Sequence, residues 1–243
     1  MSEVDELKER VALGCRVLAK LNLTREPAGH VSARIPGTDR VLIRGRGETE
    51  SGVRYTKPED VITVDLDGKK VDESETNTAP REVFIHTWMY RTRPDVQSVI
   101  HIHPPTVVLF TICDKPLLPI YGAYDPSSLG LLLRGIPLFD RSILISNDGL
   151  GKELAATMGD KDICLMRGHG ITTTGPSVEA ASLTAIRINE LADMNYRASL
   201  LGTPRPISDA DLETFKAQGA AAGAPRDAAS DATWLTYKEM VGE

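Results

Sequence analysis

Five histidines occur in the 243 residues, and three of them fall in a pattern that suits a metal ion. His101-Ile102-His103 closes a candidate strand that begins at Val96. Side chains alternate across a strand, so the two imidazoles share a face. Two imidazoles on one face are half of a metal site, and the remaining donors must come from elsewhere in the chain. Arg167-Gly168-His169-Gly170 offers the third, because glycines on both sides let the backbone approach an ion closely. A His-x-His pair also occurs on solvated strands. Here Val99, Ile100 and Ile102 mark the strand as mostly buried, and a buried imidazole needs a hydrogen-bond partner or a metal. Glu82 and His86 stand four apart on the helix expected just before this strand, so they share its face. A carboxylate near three imidazoles serves as a fourth ligand or as a general acid/base; the plainer alternative is a Glu–His pair on a wet helix face. Arg44-Gly45-Arg46-Gly47 sets two guanidiniums in a flexible turn, where their forks suit a carboxylate or phosphate, or simply solvent.

The elements that must position these groups alternate between short strands and helices. Val4, Leu7, Val11, Cys15 and Leu18 recur at helical spacing and predict an amphipathic helix over 3–22. Strands are expected over 31–35, 40–44 and 60–66, separated by Pro-Gly and Asp-Gly turns. Thr78, Ala79 and Pro80 predict a helix start for 81–90, and Pro104 with Pro105 stops the strand that carries His101. Residues 106–113 are apolar enough for a buried helix. Strands at 143–146 and 162–166 should flank a helix over 150–158. Ser177 opens the longest helix, which ends at Gly202 with Pro204 beyond. The Ala/Gly-rich stretch 217–232 predicts loose order, although Trp234 and Tyr237 look like docking residues. Such an alternation fits one layered α/β domain.

Composition narrows the function classes. Hydrophobic residues make up 41% and charged residues 26%, as in ordinary globular enzymes. A net charge of −6 argues against a nucleic-acid partner. No apolar run approaches the roughly 20 residues of a membrane span, and the polar stretch Met1 to Glu9 does not read as a secretory signal. Cys15, Cys113 and Cys164 are scattered and odd in number, which fits reduced thiols in a cytoplasmic protein.

At these residues the chain resembles the class II aldolase/adducin family from the opening helix to Leu201. The resemblance rests on Gly29-His30-Val31-Ser32-Ala33-Arg34, Arg81-Glu82, Tyr90-Arg91-Thr92-Arg93-Pro94-Asp95, Val99-Ile100-His101-Ile102-His103 and Arg167-Gly168-His169-Gly170. It implies a single-domain three-layer α/β/α sandwich over 1–216 with a C-terminal tail over 217–243. It also implies a homotetramer with active sites at subunit interfaces and one divalent metal (Zn, Mn, Fe or Co) per subunit. His101, His103 and His169 match the family's metal-binding histidines, and Glu82 matches its catalytic glutamate. Sugar-phosphate aldolases of the family carry Asn in the place of His30 and hold phosphate with a Thr/Ser/Gly-rich loop. Here that loop reads Ile43-Arg44-Gly45-Arg46-Gly47. The Gly-His-Val-Ser motif and the arginines look more like the family's aromatic-acid decarboxylases, among them enzymes acting on 3,4-dihydroxyphthalate. On that resemblance His30 is a catalytic candidate, and Ser32, Arg44, Arg46 and Tyr121 are candidates for the substrate, Tyr121 reaching a neighbouring subunit's site. The expected activity is decarboxylation of a hydroxylated aromatic dicarboxylate in aromatic-compound catabolism. The alternative is aldol cleavage of a small sugar phosphate or hydroxy-oxo acid. The family's adducin branch, a non-catalytic binding module, generally lacks the metal histidines.

Overall fold

The computed structural model describes residues 2–24, 27–47, 52–221 and 228–242. Its centre is a seven-stranded sheet in the order β3-β2-β1-β4-β7-β6-β5. The strands are β1 (His30–Arg34), β2 (Arg40–Arg44), β3 (Val61–Asp65), β4 (Ser98–Ile102), β5 (Leu138–Phe139), β6 (Ile163–Met166) and β7 (Gly170–Gly175). Every pairing is antiparallel except β5 with β6.

Alternation along the strands builds a core on each side of the sheet. Val31, Ala33, Leu42, Ile100, Ile102 and Ile171 face one core, together with α1 (Glu3–Lys20) and α6 (Val178–Leu201). Val41, Ile43, Val64, Val99, Cys164 and Met166 face the other, under α2 (Val83–Thr92) and α5 (Asp148–Met158). The result is the expected three-layer α/β/α sandwich. Each long helix begins on a polar cap. Ser2 and Asp5 form a reciprocal capping box at α1, and Ser177 accepts from the Ala180 N–H at α6. Arg10 on α1 grips the buried Glu179 carboxylate at 2.8 and 2.7 Å and ties the two helices together.

Several expectations are corrected. Residues 143–146 form no strand: the Ile145 N–H donates to Glu82 Oε1 at 2.8 Å instead of a ladder, and β5 takes the sheet edge. The helix expected over 106–113 forms as α3 (Pro105–Ile112), but it is not buried in this chain. Only Val107 and Thr111 are covered, whereas Ile112 is 54% exposed. α4 (Pro126–Leu133) and α7 (Asp209–Ala221) stand where no helix was expected, α7 running across position 216. Of the stretch expected to be loose, residues 222–227 lie outside the described residues. Beyond it lies α8 (Ala232–Met240): Trp234 is buried in the first core and the Tyr237 hydroxyl donates to Glu190 at 3.2 Å. Among the described residues no helix is long and apolar enough to cross a membrane.

Candidate active site and metal centre

Strand alternation sends His101 the same way as Val99, toward α2, and His103 follows two residues later at the strand's end. His30 is the cross-strand partner of His101, and their rings stack with centroids 5.8 Å apart. Glu82 caps the start of α2, and the hydrogen bond from Ile145 fixes its carboxylate. His169 sits in the turn between β6 and β7. Gly168 takes a left-handed φ of +57° there and donates its N–H to Thr111 Oγ1 at 3.0 Å. A Cβ at Gly170 would lie 2.9 Å from His103 Cδ2 and closer still to the Ile102 carbonyl oxygen. Both glycines flanking His169 are therefore required, one for its dihedral and one for the space beside β4.

Four donor atoms converge, one each from Glu82, His101, His103 and His169, all within 4.8 Å of one another. Glu82 Oε2 lies 3.5 Å from the Nε2 atoms of both His101 and His169. The ring centroids of the three histidines are 4.7 to 5.3 Å apart. His101 Nδ1 lies 3.0 Å from the Ile171 carbonyl oxygen, which only accepts, so Nδ1 carries the proton and Nε2 presents its lone pair to the cluster. That Nε2 and both ring nitrogens of His169 are buried without a hydrogen-bond partner. Orphaned polar atoms of this kind are costly, and a bound cation would satisfy His101 Nε2 and one nitrogen of His169. Three imidazoles and one carboxylate are a donor set that fits a divalent transition metal.

Burial favours uncharged imidazoles here. Desolvation, with the neighbouring histidines, pushes His103 and the fully buried His86 down to about 3 and holds His30 well below the ordinary range. Desolvation raises the Glu82 carboxyl, but the adjacent His101 and His169 imidazoles outweigh it and hold Glu82 well below the usual carboxylate range.

A cavity of about 320 Å³ opens onto this cluster, with His30, Arg46, Arg81, Glu82, His103 and Leu144 on its wall. Arg46 thus stands where substrate could reach it, steadied by a 2.6 Å bond to the Pro27 carbonyl. Arg44 does not. It shares a strand face with Leu42, so it points toward α1, is 1% exposed, and donates to Thr56 Oγ1 at 3.1 Å. Ser32 lies on the same face as His30 but one step deeper, fully buried. Its hydroxyl is 2.7 Å from His86 Nδ1 and 2.8 Å from the Tyr90 hydroxyl. Tyr121 does not line the cavity; it packs against the first core beside Tyr124. Arg81 and Leu144 were missed as wall residues. Arg81 adjoins Glu82, and that adjacency was the signal available; Leu144 had been assigned to a strand that does not form.

Comparison with known proteins agrees with this geometry. The chain is 39% identical over 209 residues to the 3,4-dihydroxyphthalate decarboxylase of Arthrobacter keyseri, covering 84% of each chain. It is 37% identical over 223 residues to the enzyme of that name from Rhodococcus jostii (strain RHA1), covering 90% of this chain and 91% of the relative. Among solved structures, an aldolase II superfamily protein from Pseudomonas syringae superposes with a TM-score of 0.85 at 21% identity, over 99% of this chain and 94% of that one. Residues 9–196 match the family described as "Class II Aldolase and Adducin N-terminal domain". With a match over most of its length and a cluster of three histidines and a glutamate at the sheet's end, the chain belongs to the class II aldolase and adducin N-terminal domain family.

Proposed function

We propose that this chain is a cytoplasmic, metal-dependent carboxy-lyase acting on a hydroxylated aromatic dicarboxylate such as 3,4-dihydroxyphthalate, in the breakdown of aromatic compounds. The observation that carries the reading is one cavity whose wall carries Glu82 and His103 of the four-residue cluster together with two arginines, Arg46 and Arg81. A decarboxylase of a diacid needs both parts: a cationic centre for electrons left on the ring, and cations for the carboxylate that stays. The similarity to decarboxylases named for that substrate supports the same choice.

A divalent ion held by the three imidazoles, its identity open among Zn, Mn, Fe and Co, supplies Lewis-acid stabilisation for electron density on a ring oxygen. The residues do the rest. Arg46 and Arg81 hold the retained carboxylate by forked hydrogen bonds. His30 accepts the proton of the hydroxyl next to the departing carboxylate. Glu82, a carboxylate at rest, relays a proton from solvent in the cavity to the ring carbon bearing that carboxylate, giving the keto tautomer. The bond to the carboxylate carbon then breaks, CO2 leaves without the bonding pair, and that pair restores the aromatic ring while the oxygen takes the proton back from His30.

The exposed apolar side chains Leu109, Ile112, Tyr124 and Leu201 favour assembly, and a homotetramer would let Tyr121 serve a neighbour's cavity. The test is CO2 release from 3,4-dihydroxyphthalate with and without a strong chelator. Chelator-sensitive release is expected. No release by metal-loaded protein from this or related ortho-hydroxy diacids would overturn the reading in favour of aldol cleavage.

A further inference from the structure

Behind the cavity wall lies a chain of polar side chains that the reaction above does not use. His86, one turn after Glu82 on α2, is fully buried, with Nδ1 2.7 Å from Ser32 Oγ. Ser32 Oγ lies 3.2 Å from the Val99 carbonyl oxygen, which can only accept, and 2.8 Å from the Tyr90 hydroxyl. Ser32 has one proton. If it goes to Val99, the hydroxyl must accept from Tyr90 and from the His86 Nδ1–H, and Ser32, Tyr90 and His86 Nδ1 are all satisfied. That assignment leaves His86 Nε2 as a bare lone pair, and this atom is buried without a partner. The adjacent imidazole has a matching deficit. His30 Nδ1 is also buried without a partner, its ring stands edge-on to His86 with centroids 5.6 Å apart, and His30 lines the cavity.

We propose that His86 is a positioning residue for His30. Its Nε2 draws the proton of His30 to Nδ1, directly or through one water, so that His30 turns an unprotonated Nε2 to the cavity. Two orphaned nitrogens are then satisfied by one proton. In a neutral imidazole the hydrogen sits on only one nitrogen, so the partner of the buried nitrogen decides whether the exposed one donates or accepts. Ser32 and Tyr90 anchor the device from below. It makes His30 a proton acceptor for a substrate hydroxyl rather than a donor to a carboxylate. The inference rests on the proposed decarboxylase reading for its catalytic consequence, but not for the tautomer itself.

The experiment therefore has two readouts on the metal-loaded enzyme. Long-range nitrogen–proton NMR reports the tautomer of His30 in the wild type, in His86→Leu and in His86→Gln, whose side-chain oxygen can still accept. Steady-state kinetics on 3,4-dihydroxyphthalate reports the split between kcat and KM. The Nδ1–H tautomer of His30 is expected in the wild type, lost in His86→Leu and largely kept in His86→Gln. kcat should fall about tenfold to a hundredfold in His86→Leu, with KM and metal content unchanged, and recover partly in His86→Gln. Ser32→Ala, a smaller change in the same chain, should give an intermediate tautomer mixture if the leucine variant fails to fold. An unchanged His30 tautomer in both His86→Leu and Ser32→Ala, or an Nε2–H tautomer in the wild type, overturns the proposal. A correct tautomer pattern in an enzyme that releases no CO2 would overturn the substrate assignment and leave the role of His86 standing.

Discussion

Gly170→Ala tests whether the metal ligands are set by close strand packing. The added methyl carbon would meet His103 Cδ2 at 2.9 Å and the Ile102 carbonyl oxygen at less than that, where such atoms need 3.0 Å or more. Neither neighbour can yield freely. Ile102 is paired with Ile171 in the β4–β7 ladder, and His103 is a ligand candidate at the end of β4. The strand ends must therefore part by roughly half an ångström or more, carrying His103 and His169 away from each other. Overpacking of this kind costs about 1–3 kcal/mol of stability, which lowers Tm by about 2–12 °C in a domain of this size. Its effect on the site should be larger, because a displacement of around 1 Å in a catalytic constellation costs about a hundredfold in rate. Displaced ligands should also weaken metal affinity by about tenfold to a hundredfold. The assay is chelator competition for the metal, with a thermal melt on the same sample and Gly219→Ala, which meets nothing within 4 Å, as the control. A Gly170→Ala protein that melts early yet holds metal as tightly as the wild type would refute the claim that this contact places the ligands.

Glu82→Gln should retain bound metal, because the amide oxygen can still accept from Ile145, while kcat falls by about a hundredfold or more through loss of the proton carrier; near-normal turnover would remove Glu82 from that role. Arg46→Ala should mainly raise KM, by about tenfold for one lost forked contact to the retained carboxylate, and an unchanged KM would remove Arg46 from the cavity's substrate contacts. The metal-free protein should lose stability in mild acid. His86 resists protonation down to about 3 in the fold, whereas an unfolded chain takes the proton near pH 6.5, so between those values the unfolded state holds the extra proton and acidification favours it. That contributes a loss of about 2–3 kcal/mol between pH 6.5 and 4.5, read from urea melts; a His86→Leu variant with the wild-type pH slope would contradict it.

Much of the site's framework was legible because period-two alternation is a strong constraint. His101 and His103 had to share a face, and Val99 showed that the face was inside. Glycines on both sides of His169 suggested close approach of the backbone to an ion, whereas the structure uses them for a left-handed turn at Gly168 and for tight packing against β4 at Gly170. The same alternation could have placed Arg44 correctly, since it follows Leu42 on the α1 side, but a turn motif with two arginines was read as one unit. Ile143 to Ser146 misled because a short apolar run such as Ile143-Leu144-Ile145 reads as a strand, whereas tertiary contact with Glu82 decides its backbone. Ser32 belonged to the right motif at the wrong depth, and depth depends on how α2 crosses the sheet, which local sequence does not encode. α3 looked like a core helix because apolar content alone does not say whether the rest of the chain covers a helix.

The central claim is that His101, His103 and His169, with Glu82 beside them, hold a divalent metal on which activity depends. It is tested most directly by metal analysis of dialysed wild type and His103→Ala, with activity measured on the same samples. About one divalent ion per chain in the wild type, lost together with turnover in the variant, is the predicted result. A wild type that turns over substrate without metal, or a His103→Ala protein with full metal and full activity, would contradict it.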